Sequence, residues 1–269
     1  MISQVSAPAQ PTADPGRGTV ETMNALLAAT AEAERSHFWF QGFRRFVAPL
    51  LETAAAGRRD LVIADCGAGT GNNLRLLERY GRPIGIELTE AGARFAQARG
   101  ERRMACGDVT ALPIASASVD LATSFDVLYC LPDDAERRAL AEMHRILRPG
   151  GHLVINVAAM PFLKGEHSDL TQEVRRYTRR GLETALDRAG FTTTRATYTN
   201  AATLPLVATV RALQRRGLMR GGSASARDMQ TPAAPINAVL SSALAVEAAL
   251  LRLIDMPFGS SLLALAIKR

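Results

Sequence analysis

Between Leu61 and Ala158, short apolar runs alternate with stretches whose apolar residues recur every three or four positions. That alternation predicts a parallel sheet covered by helices. The runs are LVIADC (61 to 66), PIGIEL (83 to 88), RRMACG (102 to 107), VDLATSF (119 to 125) and GHLVINVA (151 to 158). NNLRLLERYG, TEAGARFAQARG and DDAERRALAEMHRILRPGG lie between them and are helical in period, with Gly81, Gly100 and Pro149-Gly150-Gly151 as stops. Ahead of this core, Gln41 to Ala56 sets Phe43, Val47, Leu50, Leu51 and Ala54 on one helical face that should pack on the sheet. Behind it, TRRGLETALDRAGF predicts a helix, FTTTRATYT from Phe191 a strand, and SLLALAIK (261 to 268) a last strand, the one antiparallel member. The expected fold is therefore α/β and doubly wound, with seven mostly parallel strands and a helical insertion before the last.

The insertion, 200 to 258, is longer than a hairpin needs. Two apolar stretches, 203 to 213 and 236 to 254, flank the glycine- and serine-bearing GGSASARDMQTPAAP; Arg211, Glu247 and Arg252 interrupt them, so no stable membrane insertion is expected. Helices over 201 to 217 and 236 to 254 are expected to form a lid over an acceptor pocket. At about 100° per residue, Val239, Leu240, Ala243, Leu244, Val246, Leu250, Leu251 and Ile254 share one face, with Asn237, Ser241, Arg252 and Asp255 opposite. Glu247 breaks the rule from near the centre of the apolar face. It should need a cationic partner, a raised pKa or access to a polar cavity.

Length and composition narrow the class. At 269 residues and 47% hydrophobic, the chain can bury one large core with a small appendage. The 32 Lys and Arg exceed the 26 Asp and Glu by a net +6, but the arginines are scattered along helices, so no nucleic-acid partner is expected. Cys66, Cys106 and Cys130 show neither CxxC spacing nor an even count, which argues against disulfides or zinc and favours a cytoplasmic setting. Residues 1 to 18 lack an apolar core and are expected to be a disordered leader; 19 to 58 should be helices covering the ligand site, 59 to 199 the binding core and 259 to 269 the last strand.

The chemistry centres on Asp65-Cys66-Gly67-Ala68-Gly69-Thr70-Gly71, straight after the first strand. A Cβ at the loop glycines would hold a ligand off the backbone. Glu87, at the end of the next strand, suits a ribose diol, a spacing shared with dinucleotide folds. The register separates the two classes: dinucleotide sites use GxGxxG to seat a pyrophosphate on a helix N-terminus, whereas this loop reads GxGxG with Asn72 in the sixth place. A ligand without phosphate is favoured.

DCGAGTG, Glu87, Gly107-Asp108, SFDVLYCLPDD and RILRPGGHLVI, in that order, resemble the class I S-adenosylmethionine-dependent methyltransferases over about residues 60 to 160. HFWFQGFRR, VRRYTRRGLETALDRAGF and PFGSSLLALAIKR extend the resemblance to the methyltransferase type 11 group. The resemblance implies a Rossmann-like methyltransferase fold with S-adenosylmethionine as cofactor. It implies that Asp65, Gly67, Ala68, Gly69 and Gly71 hold the methionine end and that Glu87, beside Leu88, binds the ribose. Asp108 and Val109 would take the adenine, and Phe125 and Asp126 would floor the sulfonium.

Methyl transfer from a sulfonium needs a positioned nucleophile and little water; a base matters only for a hydroxyl or ammonium acceptor. Base candidates follow the fifth strand in MPFLKGEHSDLTQEVRRYTRR: His167 with Asp169 as its orienter, and Tyr177 to hold an acceptor. The plainer alternative is that Asp169 caps a turn and Arg175, Arg176 and Tyr177 are surface. His37-Phe38-Trp39-Phe40 reads as a packing plug or a substrate platform. Ser124-Phe125-Asp126-Val127 stands where base-methylating enzymes of this class carry Asn or Asp before Pro-Pro and an aromatic, so a small-molecule acceptor is expected, and apolar walls of the expected lid would suit a hydrophobic one. A nucleotide-dependent oxidoreductase and a non-catalytic cofactor-binding module are the competing readings. No metal is expected, and oligomeric state is left open.

Overall fold

The computed structural model describes residues 20–163, 173–205, 207–209 and 231–269. Its strands are β1 (Leu61–Cys66), β2 (Gly81–Glu87), β3 (Met104–Cys106), β4 (Val119–Phe125), β5 (Leu147–Ala158), β6 (Phe191–Thr199) and β7 (Ser261–Lys268). They form one sheet in the order β3-β2-β1-β4-β5-β7-β6. β7 runs antiparallel between β5 and β6 and every other pairing within β1 to β5 is parallel, as expected from the sequence. The carboxyl ends of β1, β2, β4, β5 and β6 therefore share one edge.

Helices α1 (Val20–Ser36), α2 (Phe38–Ala55), α3 (Asn72–Leu77), α4 (Glu90–Ala98), α5 (Asp133–Ile146), α6 (Arg179–Arg188) and α7 (Ala234–Leu250) cover both faces. Alternation along each strand sends Ile63, Leu121, Val154, Leu263 and Leu265 to the side of α2, α3 and α7, and Ala64, Ala122, Ile155, Val157 and Ala264 to the side of α5 and α6. Phe43, Val47, Leu50, Leu51 and Ala54 of α2 are buried as their spacing predicts. Each large side chain among them contributes roughly 1.5–3 kcal/mol of burial. Three strands differ from expectation: β2 runs Gly81–Glu87 rather than 83 to 88, because Leu61 pairs Gly81. β5 starts at Leu147 because the Arg148-Pro149-Gly150 stretch stays extended and Leu147 pairs Val119, with Gly150 at φ 74° absorbing the bend. β3 is only three residues long.

The second half of the insertion forms α7, but its buried face is not the expected one. Leu244, Glu247, Ala248 and Leu251 are buried, whereas Val239, Val246, Leu250 and Ile254 are exposed. The helix is apolar almost all round, so its sequence does not select a face, and α2 does. A Cβ on Gly42 would lie 2.5 Å from Leu244 Cδ1, and this close approach sets α7 along α2. The polar residues expected opposite the core make the rest of the contact. Asn237 Oδ1 accepts from Phe38 N (2.9 Å), Ser241 Oγ bonds Gln41 Oε1 (2.9 Å), and Arg252 pairs with Glu52 (3.3 Å). α7 thus packs along α2; much of the other helix expected in the lid, including 206 and 210 to 217, lies outside the described residues.

Candidate functional site

The glycine loop turns back on β2. Gly67 N and Ala68 N both donate to Ile86 O (2.8 and 3.0 Å), and Gly67, Gly69 and Gly71 have φ of 90°, 53° and 74°. A side chain at Gly67 would drive into Val127 at 2.3 Å, while a Cβ at Gly69 would meet nothing within 4 Å, so Gly69 presents bare backbone to open space. Ala68 and the αL residue Gly71 pack the loop onto the core and start α3.

Asp65 ends β1 with 1% of its surface exposed. Thr123 Oγ1 donates to its Oδ1 (2.7 Å), and its Oδ2 is buried without a hydrogen-bond partner. Burial pushes this carboxyl up to about 7, and the charge of Glu87 adds to the effect. Glu87 itself stitches the loop: Oε2 accepts from Gly69 N (3.0 Å) and Oε1 from Thr89 N and Thr89 Oγ1 (3.1 and 2.9 Å), which also seats the N-cap of α4. Leu88 beside it is exposed. Asp108 Oδ1 accepts from Thr110 N (2.7 Å), so exposed Asp108 caps its own turn next to buried Val109.

After β4, Phe125 stands edge-on to Phe43 of α2 (centroids 5.0 Å apart), and Asp126 takes a left-handed φ of 62°. Asn156 of β5 holds Asp126 from two sides: its carbonyl accepts from Asp126 N (3.0 Å) and its Nδ2 donates to Asp126 Oδ1 (2.9 Å). Burial pushes the Asp126 carboxyl up to about 7 as well. The thiol of Cys130 is driven up to about 12 by burial and by Asp126, which keeps it protonated and unreactive.

The N-terminal helices close this edge. Glu34 of α1 is buried and accepts from Thr70 Oγ1 of the loop (2.7 Å), and burial raises its carboxyl above the usual range. His37 caps α2 by accepting from Trp39 N (3.1 Å) and stacks on Phe38; burial lowers its pKa. His144 and His152 are also lowered by burial, and His144 lies edge-on to Phe191.

The structure therefore gathers Asp65, the loop glycines, Glu87, Leu88, Asp108, Val109, Phe125 and Asp126 along one edge. Tyr177 is not among them. It is buried in the α5 and α6 core, and its hydroxyl donates to Glu136, which Arg175 also grips; burial and Glu136 raise its pKa well above the ordinary value. Its role is to anchor the segment after β5, a correction to the acceptor-holding assignment. His167 and Asp169 lie outside the described residues. The expectation for Glu247 is also corrected: among the described residues its partners are not cations but Ala201 N and Ala202 N, at 2.9 Å each. Sequence reasoning missed Thr123, Asn156 and Glu34; a polar Asn inside the apolar run of β5 was the one readable signal.

Neither of two surface clefts is lined by these residues: one of about 430 Å³ runs between α2 and α7, and one of about 370 Å³ beside α3 carries Arg35, Arg44, Arg75 and Arg79. Among the described residues no cluster of His, Cys, Asp and Glu could hold a metal, and no helix is long and apolar enough to cross a membrane.

Residues 64–155 match the family profile described as Methyltransferase domain. A protein of Mycolicibacterium smegmatis named as a probable S-adenosylmethionine-dependent methyltransferase is 32% identical over 158 residues, covering 58% of this chain and 60% of that protein. The malonyl-[acyl-carrier protein] O-methyltransferase of Pseudescherichia vulneris is 31% identical over 150 residues, covering 53% of this chain and 57% of the other. The solved structure of an S-adenosylmethionine-dependent methyltransferase from Thermotoga maritima shares the fold with a TM-score of 0.55 at 20% identity, over 93% of this chain and 100% of that one. The chain spans 35% and 60% of the length of the first two curated relatives it matches. The profile and the relatives bear out the methyltransferase resemblance and the cofactor it implies, and the Thermotoga structure bears out the fold.

Proposed function

With residues 64–155 a methyltransferase domain of the S-adenosylmethionine-dependent class as the premise, we propose that the chain transfers a methyl group from S-adenosylmethionine to a small-molecule acceptor. The observation that carries the reading is Asp65: a buried carboxylate oxygen without a partner, beside a loop whose Gly69 backbone is open, is costly unless a cation completes it. The cofactor's ammonium is such a cation. Asp65, Gly67, Ala68, Gly69 and Gly71 would hold its methionine end, Glu87 and Leu88 the ribose, and Asp108 and Val109 the adenine. When bound, S-adenosylmethionine supplies an electrophilic methyl whose carbon–sulfur bond breaks with the electron pair leaving on sulfur.

The chain's own work is then positional. Phe125, backed by Phe43, would keep the reacting centre dry. Asp126, fixed by Asn156 and with a carboxyl near 7, is suited to take the proton that a hydroxyl or ammonium acceptor gives up as its new bond to carbon forms. His167 and Asp169 remain candidates for the same task. α1 and α2 would cover the bound cofactor, with the Glu34–Thr70 contact as the latch.

The test incubates the protein with S-adenosylmethionine labelled in its methyl group and a cell extract split into small-molecule, protein and RNA fractions. Label in the small-molecule fraction is expected. Label confined to protein or RNA would replace the acceptor class, and no binding of S-adenosylmethionine at all would sink the reading.

A further inference from the structure

On the sheet face turned to α2 and α7, the edge formed by the carboxyl ends of the parallel strands and the amino end of antiparallel β7 is polar, with Asp65, Thr123, Asn156, Thr197, Thr199 and Ser261, and the rest of the face is apolar. Most of these groups are mutually satisfied. Thr123 donates to Asp65 and Thr197 Oγ1 accepts from Met256 N. Asn200, the residue after β6, donates Nδ2 to Ser261 Oγ (3.2 Å). Two side-chain carbonyls on this face have no hydrogen-bond partner: Asn156 Oδ1, on a residue 1% exposed, and Asn200 Oδ1, on a residue 3% exposed. Both are acceptors, and each is held in place. Asn156 is pinned by its bond to Asp126, while Asn200, at φ 64°, precedes the two N–H groups gripped by the Glu247 carboxylate. β5 and β6 flank β7, so the two carbonyls belong to strands roughly 10 Å apart.

Resting on the methyl-transfer reading above, we infer that Asn156 and Asn200 determine acceptor specificity by accepting hydrogen bonds from two donor groups of the methyl acceptor. The acceptor class is then a polar molecule carrying hydroxyl or amine donors on both sides of the methylated atom, rather than a hydrocarbon or a simple ester. Asn156 touches the acceptor next to the Asp126 carboxyl; Asn200 holds its far end, and Glu247 is a positioning residue for Asn200. A buried carbonyl left without its donor is costly, so an acceptor that lacks one of the donors is rejected.

The test uses the full chain. The labelled small-molecule product is identified by mass, and its parent is compared with an analogue in which a donor remote from the methylated atom is replaced by hydrogen. Wild type should turn the analogue over with kcat/KM lower by about tenfold or more. Asn200→Gly deletes the amide yet tolerates the left-handed backbone, and it should compress that ratio to below about threefold while leaving S-adenosylmethionine affinity unchanged. Asn200→Asp, which retains an acceptor oxygen, should keep the discrimination. Equal turnover of the two acceptors by wild type, full discrimination by Asn200→Gly, or an acceptor with no second donor overturns this inference alone. An extract that yields no methylated small molecule while the cofactor still binds overturns the small-molecule reading and this inference with it.

Discussion

Asp65 at the β1 end of the sheet and Glu247 on α7 at the β6 end are both buried acids in apolar surroundings, yet their carboxylates are treated differently. Glu247 receives a backbone N–H on each oxygen and so completes its hydrogen bonding within the chain. Asp65 receives one hydroxyl, keeps one oxygen without a partner and is pushed up to about 7. Of these two acids, Glu247 is completed by the fold, whereas Asp65, left with an unsatisfied oxygen beside the glycine loop, is the one we propose to meet the cofactor.

Substitution at the two ends should separate stability from binding. The largest effect is expected for Asp65→Asn, which removes the charge proposed to meet the cofactor's ammonium. Affinity for S-adenosylmethionine should drop by roughly 2–3 kcal/mol, or about 30- to 150-fold, by calorimetry, while the empty protein melts no lower than wild type. Leu244→Ala should do the opposite, costing about 2–4 kcal/mol in urea unfolding, because its side chain fills the notch at Gly42, with cofactor affinity unchanged. Glu247→Gln keeps one acceptor oxygen and turns a donor toward the other N–H, so roughly 1–2 kcal/mol of stability should go. Cofactor binding should again be unaffected; a large loss of affinity would erase the contrast between the two acids. The smallest change belongs to the outer face of α7, where Val239→Thr or Val246→Thr should stay within about 0.5 kcal/mol.

The same contrast has a pH signature. Asp65 and Asp126 both have folded pKa values raised to about 7, so between about 4 and 7 the folded chain holds protons that the unfolded chain releases. Stability of the empty protein should therefore fall as pH rises through that window, and Asp65→Asn should flatten the slope in thermal melts.

The β1–β4 half of the fold was legible because its signals are local. A strand, a glycine turn and a helix start lie within about ten residues, and LVIADC and VDLATSF appear with the expected boundaries, as does the final SLLALAIK at the other end of the sheet. The glycine loop and its acids were readable for the same reason. The α7 region was not, because a helix apolar on most sides takes its buried face from its partner, and Gly42 of α2, some two hundred residues away in sequence, makes that choice. Tyr177 was misread because an aromatic next to arginines looks like a site until Glu136 of α5 is seen to take its hydroxyl. Asn156 and Asn200 carried little signal, since a single Asn in or after a strand reads as a turn or a defect until its neighbours are known.

The central claim, that Asp65 and its loop form an S-adenosylmethionine site, is tested most directly by calorimetric titration of the wild-type protein with S-adenosylmethionine at pH 7.5 and pH 5.5, with NAD as the control. The account predicts one site at pH 7.5, affinity weaker by about tenfold or more at pH 5.5 because Asp65 must first give up its proton, and no heat from NAD. Equal affinity at both pH values would remove Asp65 from the site, and NAD binding as tight as S-adenosylmethionine, or no binding of the latter, would contradict the assignment outright.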